Sequence, residues 1–203
     1  MRYRKFLQYS LTVFLILGMS GCWILSFSPL YHQKDIIFDI NLLGYWDNQN
    51  EEDDMERWTF LRGEGQSYRL IVTDEKGVEG EFQTHMLRLG NIVYLDCLPA
   101  APEQGSDFQM SHLVPCHSFL RIKLEEDKLF LRAMDYDWLD DRLKDGRITL
   151  RHARREDGFL LTASTQDLQE FIKKYSDEVF SPEAGVLIRA LAVSYTHLTL
   201  PTN

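Results

Sequence analysis

The chain has 203 residues, of which 22 are Lys or Arg and 31 are Asp or Glu, for a formal net charge of -9. An acidic excess without a dense basic stripe excludes docking on a phosphate backbone, so nucleic acid is not an expected partner. Hydrophobic residues at 44% and aromatic residues at 12% exclude a disordered chain.

At the start, Arg2, Arg4 and Lys5 precede an apolar run from Leu11 to Leu17, followed by Gly18-Met19-Ser20-Gly21-Cys22. This is the layout of a secretory signal peptide. The small residues before the cysteine resemble the lipobox of bacterial lipoproteins, with Met19 a tolerated rather than preferred residue. The resemblance implies a signal peptide over 1–21, acylation (palmitate) at Cys22 and a lipid anchor in the cell envelope. By the same resemblance, the non-acidic Trp23 favours the outer membrane. Two alternatives stay open. An uncleaved span has only Leu11 to Met19 before the cysteine, short of the roughly 20 residues a bilayer needs, although Trp23, Ile24, Leu25 and Phe27 would lengthen it. The third option is a signal cut elsewhere. Losing Arg2, Arg4 and Lys5 takes the net charge from -9 to -12, so membrane attachment would rest on lipid rather than charge.

Residues 22–35 read as a tether and 36–191 as one domain, a length that fits a single core. Within it, short alternating runs are separated by turn signals. Arg57 to Leu61 ends at Gly63-Glu64-Gly65, and Tyr68 to Thr73 at Asp74-Glu75-Lys76-Gly77. Phe82 to Leu89 turns at Gly90-Asn91 into Ile92 to Leu95. After a long loop, Leu98 to Pro115, Phe119 to Leu124 turns into Leu129 to Arg132, and Ile148 to His152 turns at Asp157-Gly158 into Phe159 to Ala163. Alternation with tight polar turns predicts a mainly β, antiparallel meander. Eight or nine such strands leave exposed edges unless the sheet closes into a barrel. Two helices interrupt it: a short one near 137–145, stopped by Gly146, and an amphipathic one near 165–179. Ser164 or Thr165 can cap the second, with Asp167 completing a capping box. Its apolar stripe (Leu168, Phe171, Ile172, Tyr175, Val179) predicts a helix lying on the barrel's outside rather than a partner surface.

Asp39-Ile40-Asn41-Leu42-Leu43-Gly44-Tyr45-Trp46 resembles the opening strand of lipocalin-like domains, in which a Gly-x-Trp carries apolar flanks. The resemblance implies a meander barrel with a late helix, Gly44 and Trp46 as structural residues, and a late-strand Arg packed on the Trp. Arg147 or Arg151 are the candidates for that Arg. The helix between the seventh and eighth strands and the loop from Leu98 to Pro115 depart from the simplest barrel.

Three chemistries are open to these residues. For metal binding, His32, His85, His112, His117 and His152 show no paired-ligand spacing. The run Glu51-Glu52-Asp53-Asp54-Met55-Glu56 lacks the glycine and alternating ligands of a calcium loop. For nucleophilic catalysis, Cys116 adjoins His117, but neighbours on a strand point apart, and no Gly-x-Ser-x-Gly is present; no enzyme activity, cofactor or metal is expected. In an exported protein Cys97 and Cys116 would most simply form a disulfide, with two buried free thiols as the competing reading where the envelope is not oxidising. The third chemistry is ligand binding inside an eight-stranded barrel. Trp58, Phe60, Leu70, Val72, Leu95, Leu120 and Ile122 are the candidate inward residues, with Val93, Leu150 and Leu161 beside them.

Last, Val193 to Thr202 resembles translated sequencing adapter, and 192–203 is set aside as a non-native tail, with the natural C-terminal residues expected beyond the point where it begins. The expectation is therefore a lipid-anchored envelope protein whose lipocalin-like barrel takes a small lipophilic ligand. The alternative is an interaction lipoprotein with a filled barrel and an envelope protein as partner.

Overall fold

The computed structural model describes residues 23–48, 56–101 and 105–190. Cys22, the acidic run from Glu51 to Asp54 and the adapter-like tail lie outside the described residues. Two short strands come first, β1 (Trp23–Ser26) and β2 (Ile36–Ile37). The alternating runs then form β3 (Gly44–Asn48), β4 (Arg57–Arg62), β5 (Ser67–Thr73), β6 (Glu79–Leu89), β7 (Ile92–Pro99), β8 (Ser118–Glu125) and β9 (Lys128–Ala133). A last strand, β12 (Gly185–Arg189), follows an insertion that contains β10 (His152–Arg155) and β11 (Gly158–Leu161). From β3 through β9, each strand pairs antiparallel with the next in sequence; β9 pairs with β12, and β12 pairs back on β3. The result is a closed, eight-stranded, lipocalin-like meander barrel. β2 is a ninth strand that pairs with Met86 and Leu87 where β5 stops at His85, extending the wall.

Closure is concentrated on the Gly-x-Trp. Trp46 is fully buried and stands opposite Arg189 in the β3–β12 register. The Arg189 guanidinium lies 4.2 Å from the Trp46 ring centroid and donates to the carbonyls of Leu43 (3.0 Å) and Asn41. The closing arginine is thus Arg189, not Arg147 or Arg151. Those two stand in the insertion, which never enters the barrel wall. Gly44 has φ +127°, where a side chain is strained, and a Cβ there would sit 3.1 Å from Arg189 Nη1. The same end is capped by a 3-10 turn, Ile40–Leu42. Trp46 Nε1 donates to Leu42 O (2.9 Å). The Tyr68 hydroxyl donates to Asp39 O (2.9 Å) and accepts from Asp39 N–H (2.7 Å).

Residues 134–184 build a second layer on the barrel's outside. It holds α2 (Tyr136–Lys144), the β10–β11 hairpin and α3 (Thr165–Tyr175); a single helical turn, α1 (Asp107–Met110), lies in the β7–β8 loop. The Ile148 to Ala163 runs therefore contribute a hairpin outside the barrel instead of two barrel strands. β1 joins β11 in parallel, making a separate three-stranded sheet, so the stretch read as a tether is part of the fold. Gly158 makes that pairing possible: a Cβ there would fall 2.0 Å from Trp23 O. Ser164 caps α3 as expected, accepting from Asp167 N–H at 3.2 Å. Leu168, Phe171 and Ile172 bury against the outer face of β6–β8 (Leu87, Leu89, Tyr94, Phe119). Leu150 and Leu161 belong to this second core, not to the barrel interior.

Arg189→Ala removes charged hydrogen bonds and a cation–π contact, and should cost about 2–4 kcal/mol in urea unfolding. Arg147→Ala and Arg151→Ala, on the exposed outer face, should each stay within about 0.5 kcal/mol of the parent.

Candidate functional site

Inward residues along the barrel fall into two zones. Trp46, Phe60, Tyr68, Leu70, Leu95 and Leu129 are at most 1% exposed and fill the interior from the capped end upward. At the other end Trp58, Val72, Phe82, Leu120 and Leu131 also belong to the inner cluster, yet each is only partly buried. Each lies toward the mouth end of its strand, and the ladder pairs Trp58 with Trp46, Phe82 with Leu70, Leu120 with Leu95 and Leu131 with Ile122, so the five sit directly on the packed interior. They form an apolar cup above a packed floor. The expected pocket residues thus divide, with Trp58, Val72 and Leu120 in the cup, while Phe60, Leu70, Leu95 and Ile122 pack the core beneath. Phe82 and Leu131 join the cup without having been singled out in the sequence. Trp58 is steered by Glu56, whose carboxylate accepts from the indole N–H at 2.5 Å.

Polar groups at the cup floor are few. Thr84 is fully buried and faces Cys97 across the β6–β7 ladder. Burial pushes the Cys97 thiol up to about 12, which removes it from thiolate chemistry. Cys97 and Cys116 are both free, contrary to the expected disulfide. The ladder pairs Cys97 with Ser118, two residues past Cys116. A diagonal of that kind separates Cα atoms by about 7–8 Å, too far for a bridge. At His117 the chain has already turned to β1, exchanging backbone hydrogen bonds with Ser26 (2.9 and 2.8 Å). Cys116 and His117 do diverge: the thiol approaches Val114 O at 3.5 Å, and the imidazole faces Asp96.

That imidazole belongs to a second cluster, on the outer wall. Asp96 is 1% exposed. Its carboxylate accepts from His117 Nδ1 (2.5 Å) and from the Leu30 N–H (2.6 Å). The tautomer follows from the acceptor, since a carboxylate requires N–H on Nδ1. Leu30 O accepts from Gln169 Nε2 (2.8 Å), and Pro29 O accepts from Thr165 Oγ1 (2.8 Å). The segment after β1 is therefore a strap, clamped through its backbone between β7 and α3. His85, opposite Asp96 in the ladder, packs on the Tyr31 ring at 4.5 Å between centroids. Burial lowers the His85 pKa; Asp96 opposes the shift and His117 adds to it. The sequence held one signal for this cluster, an acid inside the otherwise apolar run from Ile92 to Cys97, and all of Tyr94 to Cys97 is buried.

Arg147 and Arg151 line an open groove of about 600 Å³ between the Ile148–Leu150 segment and α3, well away from the cup. Among the described residues no three His, Cys, Asp or Glu side chains gather as a metal site, and no helix is long and apolar enough to cross a membrane.

Two outcomes follow from these environments. An aqueous disulfide reagent should modify Cys116 in the native protein and reach Cys97 only after unfolding; equal rates would refute the inward placement of Cys97. For His85, the folded pKa lies below the unfolded value of about 6.5, so the unfolded state takes up the proton first. Stability is then complete above that pH and falls as pH drops through and below it. Urea midpoints at pH 7.5 and 5.5 should fall more in the parent than in His85→Gln.

No protein-family model, curated protein or solved structure matches this chain, so the lipocalin-like description rests on strand order, barrel closure and the Trp46–Arg189 contact.

Proposed function

We propose that this chain is a lipid-anchored protein of the bacterial cell envelope whose barrel takes one small apolar molecule at its mouth. The observation that carries the reading is the incomplete burial of Trp58, Val72, Phe82, Leu120 and Leu131 above a packed floor. Large inward apolar side chains left partly open to water at one end are the usual lining of a small-molecule site. The shallow depth favours a ligand held by one end, with the rest at the rim. The anchor half of the reading is supported by the lipobox-like Gly18 to Cys22; a non-acidic Trp23 favours the outer membrane. The alternative, an interaction lipoprotein with an envelope protein partner, is favoured by the packed lower barrel and the open groove beside α3.

A native mass spectrum of the protein from its own host should carry a bound apolar mass. A lipophilic fluorophore should quench Trp58, and Leu120→Glu should weaken its binding at least tenfold, or about 1.4 kcal/mol. Unchanged binding in Leu120→Glu would place the ligand elsewhere. Cys22→Ser should abolish lipid labelling and release the protein from carbonate-washed membranes; retention would point to an uncleaved helical anchor.

A further inference from the structure

The longest connection of the barrel, between β7 and β8, carries its apolar side chains outward. Phe108 is 78% exposed, Val114 65% and Leu113 49%. From Gly105 to His117 there is no Lys or Arg, and Asp107 is the single carboxylate. On the neighbouring rim hairpin, the β5–β6 turn, Val78 is also exposed. Contiguous exposed apolar residues of this size mark an interaction surface.

The chain reaches the barrel at the root of this same loop. Ser26 is bridged to His117. The β10–β11 turn, to which Trp23 is hydrogen-bonded through Asp157 O, brings Arg155 close enough to Cys116 to influence its thiol. Trp23 and Phe27, on either side of that bridge, are both half exposed. Whatever precedes Trp23 therefore arrives beside the Phe108 to Val114 crest, at the mouth end of the barrel.

We propose that this rim is a membrane-docking surface: the Phe108, Leu113 and Val114 crest, flanked by Trp23 and Phe27, enters the interface of the bilayer that holds the N-terminal lipid. The inference rests on the anchor reading and adds an orientation to it, mouth toward lipid and Ile40–Leu42 cap toward water. Two features select a lipid surface over a protein partner. The root of the crest is bridged to the end of β1 through His117 and Ser26, four residues after the proposed acylation position Cys22. Its most exposed side chains are aromatic and aliphatic, and the Ser106, Ser111 and His112 side chains between them are hydrogen-bonded to the loop's own backbone rather than left to meet a partner. Charge adds little attraction, because the loop has no cation, the nearby Arg155 is paired with Asp157, and the whole chain is acidic. Docking is apolar insertion, indifferent to anionic lipid or opposed by it. An apolar ligand would then pass between bilayer and cup without crossing water.

The test uses full-length protein in phosphatidylcholine vesicles, in a Cys116→Ser background, with an environment-sensitive fluorophore on Phe108→Cys, Val114→Cys or Ile40→Cys. Labels at 108 and 114 should shift to the blue and be quenched by nitroxide-bearing lipid, while the label at 40 stays wet. In Cys22→Ser protein added to such vesicles, the further change of Phe108 and Val114 to Ser should lower partitioning tenfold or more, as expected from exposing a Phe and a Val, and adding anionic lipid should not restore it. Sedimentation reports the anchor and the label reports the crest, so either can fail alone. Labels at 108 and 114 as wet as the one at 40 would overturn the inference even in protein that sediments. Labels already dry before vesicles are added, with a doubled mass in light scattering, would mark a second copy on the rim and overturn it equally.

Discussion

An eight-stranded barrel persists only while its last strand holds its first, and here that bond is reinforced at one place, where Arg189 covers Trp46. The contact joins three layers. The indole fills the barrel's capped end, the guanidinium seals it, and the freed carbonyls of Asn41 and Leu43 are satisfied by the same cation. Because Trp46 Nε1 also reaches Leu42 O, the capping turn is tied to the closure and not merely laid over it. At the opposite mouth Trp58, Val72, Phe82, Leu120 and Leu131 stay partly accessible, as Val93 and Leu124 do nearer the closed end.

The wall between β6 and β8 carries a different burden, since it is buried on both faces. Inside it packs Leu95, Cys97 and Ile122; outside it meets β1, α2, α3 and the strap. A carboxylate facing such an environment is costly unless each of its oxygens is hydrogen-bonded. Asp96 meets that condition with a backbone N–H from the strap and an imidazole from the start of β8. The pairing ties together three segments far apart in sequence: Leu30, Asp96 and His117. Removing either donor would leave the ion buried and short of a partner, so the strap and the β8 entrance depend on each other. The strap in turn carries the link between the barrel and everything before Trp23.

Much of this was legible from the residues. The alternating runs between Arg57 and Arg132, each closed by a tight turn, are the strands of the barrel, and Ser164 with Asp167 marked the start of α3. The Gly44-x-Trp46 pattern located the first barrel strand. The misses share one physical cause: local pattern reports which face of an element is apolar, but not which partner covers it. Ile148 to Ala163 alternates like a barrel strand pair because it too is half buried, but against a second core. Arg189 could not be told from Arg147 or Arg151, since closing the barrel is a contact between residues over 140 positions apart. Export and cysteine count pair Cys97 with Cys116, and only the register shows them two residues out of step. Asp96 was overlooked because an acid on the outward face of a strand is normally solvated, whereas β7 is covered on that face as well.

The depth of the cup bears on what the molecule can hold. With Phe60, Leu70 and Leu95 packed beneath it, the interior has no shaft in which a long chain could lie, so only a short apolar segment fits below the rim. A ligand of any length must leave part of itself outside, where water would oppose it unless another apolar surface takes over. Around the mouth, Val78, Phe108, Leu113 and Val114 are the nearest such surface within the molecule, but they point away from the barrel. A shallow cup and an outward-facing apolar rim are individually poor designs for soluble transport. Placed against a bilayer, as proposed, they would be consistent with each other, because the lipid would complete the site that the barrel only begins.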